Sequence, residues 1–294
     1  MLKGIYPPIT TPFINGEISF EKLKFNIDKL NETNLSGYVA LGSNGESAFL
    51  TFDEKVAFIS KVKEFSSPDK TLIAGTGSDS IKDTIRLSNI AADEGADYVL
   101  VLTPSFYKNE MKHDQLLSYF QAIADSIKVP LIIYNVPKFT NVTIEPETVA
   151  ALAQHKNIAG IKSSSEVITQ IIEYVSMTEN NFDVLVGTAS IIYSGLCVGA
   201  KGGIVALANV LPKQCIDVIE LYNKGKLGDS LALQNKLVQL NRAVTSVYGV
   251  AGLKAAMDMA GYFGGEPRLP LKKLNENQFN QLRNLFVSSG FFDL

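Results

Sequence analysis

The chain has 294 residues, 46% of them hydrophobic and 19% charged, which is ample for a sizeable core and too apolar for a disordered chain. Lys and Arg number 27 against 30 Asp and Glu, a net charge of -3, so the basic field that nucleic acid or an anionic membrane requires is missing. With only His113 and His155, and with Cys197 and Cys215 in no CxxC pair, no metal site, disulfide framework or histidine-based triad is expected, and both cysteines are expected to be buried.

The first residues, MLKGIYPPITTPF, carry one charge and two prolines where a signal peptide would have a basic region and a long apolar stretch, so a cytoplasmic location is expected. From there, short β-branched and aromatic runs alternate with amphipathic stretches of about 12 to 16 residues, the spacing of repeated βαβ units. Strands are predicted at residues 4–9, 37–41, 71–75, 98–102, 131–134, 158–161, 183–186 and 203–206. Thr51 and Ser80 supply helix starts, and Pro146 and Pro212 stand where a first helical turn tolerates proline. YVLVL and PLIIY are apolar on both faces, as strands covered on both sides must be. The apolar run 184–200 is broken by Gly187, Ser190, Gly195 and Gly199 and reads as strand, turn and helix rather than a membrane span. Eight such units over residues 1–224 predict an α/β fold, a closed (β/α)8 TIM barrel, with a doubly wound open sheet as the alternative. After about Lys224 the alternation stops, and helices predicted at 229–247, 251–262 and 276–288 make residues 225–294 a C-terminal extension that packs on the barrel.

In such a barrel the chemistry lies at the C-terminal ends of the strands. The second strand runs into LGSNGES, where Gly42 and Gly45 bracket Ser43 and Asn44 in a turn whose N–H groups can face a carboxylate, although an ordinary glycine loop explains the motif equally well. The fifth strand ends in YNVP with Tyr134 at its rim, a position where an aromatic more often packs than reacts. The sixth runs through apolar Ile158, Ala159 and Ile161 into Lys162. Partial desolvation there favours a neutral, nucleophilic amine, and a snorkelling or salt-bridged lysine is the alternative. GTGSDS has Ser80 where a GxGxxG fingerprint needs its last glycine, so nucleotide binding is not expected.

GSNGES, TPSFYKN, YNVP, GIK and GGIVALANV, in this order, resemble the dihydrodipicolinate synthase / N-acetylneuraminate lyase family of pyruvate-dependent class I aldolases over essentially the whole chain. The resemblance implies that Lys162 is the Schiff-base lysine, Tyr134 the proton-shuttling tyrosine, and Ser43, Asn44 and Gly45 the loop that holds the pyruvate carboxylate. It places Ser164 in the substrate pocket, with Ile204 packing on the bound keto acid. It further implies that Tyr107 is donated across a subunit contact, with Ser43 linking the two phenols, in a homotetramer built as a dimer of dimers. No cofactor is implied beyond the covalent imine on Lys162. Synthases of the family usually carry two threonines where Ser43 and Asn44 stand, and an arginine where this chain has Phe139, between Lys138 and Thr140. The Ser-Asn loop, Ser164, ALANVL and GYFGG are instead similar to 4-hydroxy-2-oxoglutarate aldolase and 2-keto-3-deoxy sugar-acid aldolases. The expected reaction is therefore reversible cleavage of such a 2-oxo acid to pyruvate and an aldehyde. The alternatives are 4-hydroxy-tetrahydrodipicolinate synthase, joining pyruvate to aspartate semialdehyde, and a non-catalytic keto-acid-binding paralogue.

Overall fold

The computed structural model describes residues 2–179 and 181–292. Eight parallel strands follow in chain order: β1 (Gly4–Tyr6), β2 (Gly37–Ala40), β3 (Thr71–Gly75), β4 (Tyr98–Leu102), β5 (Leu131–Asn135), β6 (Ile158–Ser163), β7 (Asp183–Val186) and β8 (Gly202–Ile204). From β2 to β8 each pairs with its chain neighbour, and β8 pairs with β1 through Gly4↔Gly202 and Tyr6↔Ile204. The last seam, β1 to β2, is joined by the Ser36 N–H donating to the Ile5 carbonyl and the Val39 N–H to that of Pro7, both at 3.0 Å, so the ring closes as a (β/α)8 barrel. Pro7 and Pro8 have no N–H to contribute, and β1 stops at Tyr6 instead of reaching residue 9. β6 runs further than its pattern predicts, to Ser163, so Lys162 lies within the strand.

The covering helices are α1 (Phe20–Asn31), α2 (Phe52–Phe65), α3 (Ile81–Asp93), α4 (His113–Ala124), α5 (Pro146–Leu152), α6 (Ile168–Ser176), α7 (Ile192–Cys197) and α8 (Pro212–Asn223), one after each strand. Thr51 caps α2 in a reciprocal capping box with Glu54, Ser80 caps α3, and Pro146 and Pro212 open α5 and α8. Strand parity then divides the core. Ile5, Tyr38, Val101, Ile133 and Ile161 face the helices, while Tyr6, Val39, Leu100, Ile132, Tyr134 and Ile204 point into the lumen and fill it. Cys215 is buried as expected, but Cys197 is exposed, because the six-residue α7 gives its inner face to Ile192 and Gly195. Among the described residues no helix is long and apolar enough to cross a membrane.

Beyond the barrel lie α9 (Leu227–Arg242), a π-helical turn at Ala243–Val247, α10 (Gly249–Met259) and α11 (Glu276–Ser288). The π-turn ends at Arg242 what the pattern predicts as one helix over 229–247. The chain after α10 returns to the barrel: Asn26 exchanges hydrogen bonds with the Phe263 backbone at 2.8 and 2.7 Å, and Lys29 donates to the Gly261 carbonyl at 2.6 Å. Arg268 forks onto Glu54 and also donates to the Gly16 carbonyl at the tip of a small hairpin, Phe13–Ile14 with Glu17–Ile18, which no strand pattern announces. Hydrogen bonding to Arg268 holds the Glu54 carboxyl at about 2, below its ordinary 4.5. The native state therefore favours the ionised carboxylate, and the stability this contributes is complete above about pH 4.5 and disappears as pH falls towards 2. The melting temperature should drop through that window less steeply in Glu54→Gln than in the wild type; parallel acid limbs would remove this pair from the docking of the tail.

Candidate active site

The register sets the centre of the site. Tyr134 on β5 pairs directly with Lys162 on β6, and both occupy the inward parity of their strands, so a phenol and an amine meet at the top of the lumen. The Lys162 amine lies 4.0 Å from the centroid of the Tyr134 ring, and the two residues are only 2% and 5% exposed. Three lysines are buried, and the other two have carboxylate partners: Lys70 meets Asp69 at 3.1 Å and Lys254 meets Glu46 at 2.6 Å. Among the described residues Lys162 has no such partner, which sets it apart from a salt-bridged structural lysine.

Behind the pair, Asn135 and Ser163 lock the two strand ends together. The Asn135 amide donates to Ser163 Oγ at 3.1 Å while its oxygen accepts the Ile144 N–H at 3.1 Å. The Tyr134 hydroxyl lies 3.4 Å from Ser43 Oγ. Burial alone would raise the Tyr134 pKa, but the positive charge of Lys162 and hydrogen bonds from Ser43, Ser164 and Lys162 outweigh it, leaving the phenol more acidic than usual. Ser164 approaches the Gly187 carbonyl at 3.5 Å, and a Cβ on Gly187 would meet Ser164 Oγ at 2.2 Å, so glycine is needed there for the serine to stand at the mouth. Ile204 is fully buried in the same luminal cluster as Tyr134.

Ser43, Asn44 and Gly45 form a single 3-10 turn after β2. The Gly45 and Glu46 N–H groups close it onto the Gly42 and Ser43 carbonyls at 2.9 and 3.2 Å. That narrows the expected anion cradle: the backbone donors left by the turn are those of Ser43 and Asn44, at its open N-terminal edge. Leu41 (φ 59°) and Glu46 (φ 55°) bracket the turn in left-handed conformations unusual for residues with a side chain.

The structure thus brings Lys162, Tyr134, Ser43, Asn44, Gly45, Ser164 and Ile204 to one end of the barrel. Tyr107, on the loop after β4, emerges at the same end but outside that cluster. That residue is 71% exposed and stacks edge-on against Phe106 at 5.0 Å, on a loop whose Ser105 and Phe106 N–H groups donate to Asp79. The GTGSDS segment therefore supports the loop carrying Tyr107. Among the described residues of one chain, Ser43 meets a single phenol, that of Tyr134. Three residues tied to the site escape the sequence reading: Glu46, Lys254 and Arg268. The available signal was a lysine inside the apolar run GLKAAM and a lone acidic residue in a loop of small ones.

A buried lysine with no carboxylate partner among the described residues, set against a tyrosine at the C-terminal mouth of a parallel barrel, suits an enzyme that attacks a carbonyl with its amine. The chain belongs to the dihydrodipicolinate synthetase family, whose sequence profile matches residues 1–288. It is 36% identical over 290 residues to the 4-hydroxy-tetrahydrodipicolinate synthase of Methanococcus vannielii, covering 98% of this chain and 99% of that one. Its fold superposes with a TM-score of 0.94 on dihydrodipicolinate synthase from Thermotoga maritima, at 32% identity and 99% coverage of both chains. A prophage protein of the same family from E. coli, solved in complex with pyruvate, matches with a TM-score of 0.92 at 26% identity and 99% coverage of both. The curated relatives' names agree with the synthase alternative better than with the 4-hydroxy-2-oxoglutarate branch expected from the Ser-Asn loop and Phe139.

Proposed function

We propose that the protein condenses pyruvate with an aldehyde through an imine on Lys162, and that the aldehyde is aspartate semialdehyde, as the 4-hydroxy-tetrahydrodipicolinate synthase relatives suggest. The observation that carries the imine is the Lys162 amine, buried with no carboxylate partner among the described residues and 4.0 Å from the ring centre of a phenol that itself reaches Ser43. The keto-acid carboxylate sits against the Ser43 and Asn44 N–H groups, directing its C2 carbonyl at Lys162. The neutral amine adds to C2, and the Tyr134 hydroxyl delivers the proton with which water leaves. The Tyr134 phenolate so formed takes a C3 proton while the protonated imine accepts the electron pair; the resulting enamine attacks the aldehyde carbon, Tyr134 returns the proton to the new alkoxide, and water then releases the product from Lys162. Ile204 closes the apolar side of the keto acid. The pyruvate complex of the E. coli relative supports pyruvate as the first substrate. The reaction so drawn uses no cofactor. The exposed Tyr107 is suited to serve a neighbour's site in a homotetramer, and full activity in a monomer would remove it from the proton relay.

One observation favours a second reading, aldol cleavage of 4-hydroxy-2-oxoglutarate or a 2-keto-3-deoxy sugar acid. Phe139 is 59% exposed on the turn after YNVP and cannot grip a second carboxylate, and the Lys138 amine is committed to the Thr245 carbonyl at 3.0 Å instead of turning inward. The test is borohydride reduction with pyruvate, expected to leave a covalent adduct on Lys162, followed on the same preparation by pyruvate consumption with aspartate semialdehyde and pyruvate release from the two cleavage substrates. No adduct would end the imine reading, and faster release than condensation would choose the second. Phe139→Arg is expected to raise kcat/KM for aspartate semialdehyde about tenfold, equivalent to ~1.4 kcal/mol of carboxylate binding. An unchanged value would assign carboxylate recognition to other residues.

A further inference from the structure

We propose that Lys254, from the C-terminal tail, is a positioning residue for the turn that receives the keto-acid carboxylate, acting through Glu46. Its amine meets Glu46 Oε1 at 2.6 Å with both side chains fully buried. It also donates to the Thr11 and Glu266 carbonyls at 2.9 and 3.1 Å and stands 4.5 Å from the centre of the Phe13 ring. The other carboxylate oxygen of Glu46 accepts the Arg268 N–H at 2.7 Å, so two points of the tail hold one side chain. Glu46 directly follows Gly45, whose carbonyl accepts the Thr11 hydroxyl at 2.6 Å. The turn is thus clamped from below while its Ser43 and Asn44 edge stays open.

The turn needs such a clamp. Left-handed backbone at Leu41 and Glu46, on either side of the three residues, is unfavourable for side-chain-bearing residues and persists only where surrounding contacts impose it. A buried ion pair adds little stability over an apolar pair of similar volume, so its value here is geometric: it fixes where Glu46, and with it the Gly45 end of the turn, can lie. Lys254 touches no reacting atom in this scheme, and its effect falls on keto-acid binding.

The inference rests on the imine reading, and trapping of pyruvate on Lys162 by borohydride in the full-length protein separates the two. Trapped fraction is measured against pyruvate concentration, with melting temperature recorded for each protein. The double variant Glu46→Gln/Lys254→Met, which leaves no unpaired buried charge, is expected to reach the wild-type extent of trapping at saturating pyruvate but to need at least about tenfold more for half-saturation. Lys254→Arg should recover most of that loss, and Thr11→Val should raise the half-saturating concentration by a smaller factor. A purely structural role would lower the melting temperature and leave half-saturation where it was, which would overturn the proposal. Should the double variant not fold, Thr11→Val with wild-type half-saturation would do the same. A wild type that traps no pyruvate removes the imine reading and this inference together.

Discussion

Lys162→Arg is expected to fold like the wild type and to lose turnover by at least about 10³-fold, with no borohydride-trapped adduct. Arginine is only one atom longer but remains protonated at any accessible pH, so it has no lone pair to add to a carbonyl. The site tolerates the charge: Lys162 is 2% exposed, faces the π-cloud of Tyr134 at 4.0 Å, and among the described residues leaves no carboxylate stranded when it is replaced. Loss of activity with an unchanged melting temperature would therefore report chemistry. Mass spectrometry after reduction with pyruvate gives the second readout, and substantial turnover in the arginine variant would assign the nucleophile elsewhere.

Tyr134→Phe is expected to lower the rate by about 10² to 10⁴-fold while leaving the luminal packing intact, because only a hydroxyl is removed from a side chain buried among Ile132, Leu185 and Ile204. Lys162 is retained, so imine still forms on prolonged incubation and the deficit lies in its rate. The pH profile supplies an independent test. The neighbouring positive charge and hydrogen bonds outweigh burial and make this phenol more acidic than free tyrosine, so its ability to donate a proton is lost below the ordinary phenol value of 10.0 as pH rises. Wild-type activity should fall on an alkaline limb below pH 10 that is absent from the phenylalanine variant. An identical limb in both would assign that ionisation to another group.

Much of this architecture is legible before folding. Strand parity and helix-cap chemistry depend on neighbours within a few residues, so the eight strands, the caps at Thr51 and Ser80 and the prolines at Pro146 and Pro212 follow from local pattern. The ends of elements were less so. β1 and β2 stop short at Pro7 and at left-handed Leu41, and the π-turn at Ala243–Val247 interrupts a run whose apolar spacing is continuous.

The site divides along the same line. Lys162 and Tyr134 were visible as candidates because each closes the apolar run of a predicted strand in a barrel whose strand ends converge, and the motifs around them specify the family. Several site features could be learned only from the fold. One is that the Lys162 amine is buried with no counter-charge among the described residues. Another is that the Gly45 and Glu46 donors are consumed inside their own turn, and a third is that Tyr107 stands exposed, with no hydrogen bond to Ser43 among the described residues. The Glu46–Lys254 pair is the clearest case, with partners at opposite ends of the chain and no local pattern linking them. By itself the sequence determined the barrel and its family and singled out the candidate amine, because these depend on alternation and motif order along the chain. The tertiary structure alone decided which charges pair and how the turn after β2 is held, because burial and ion pairing are properties of groups that meet only when distant segments pack.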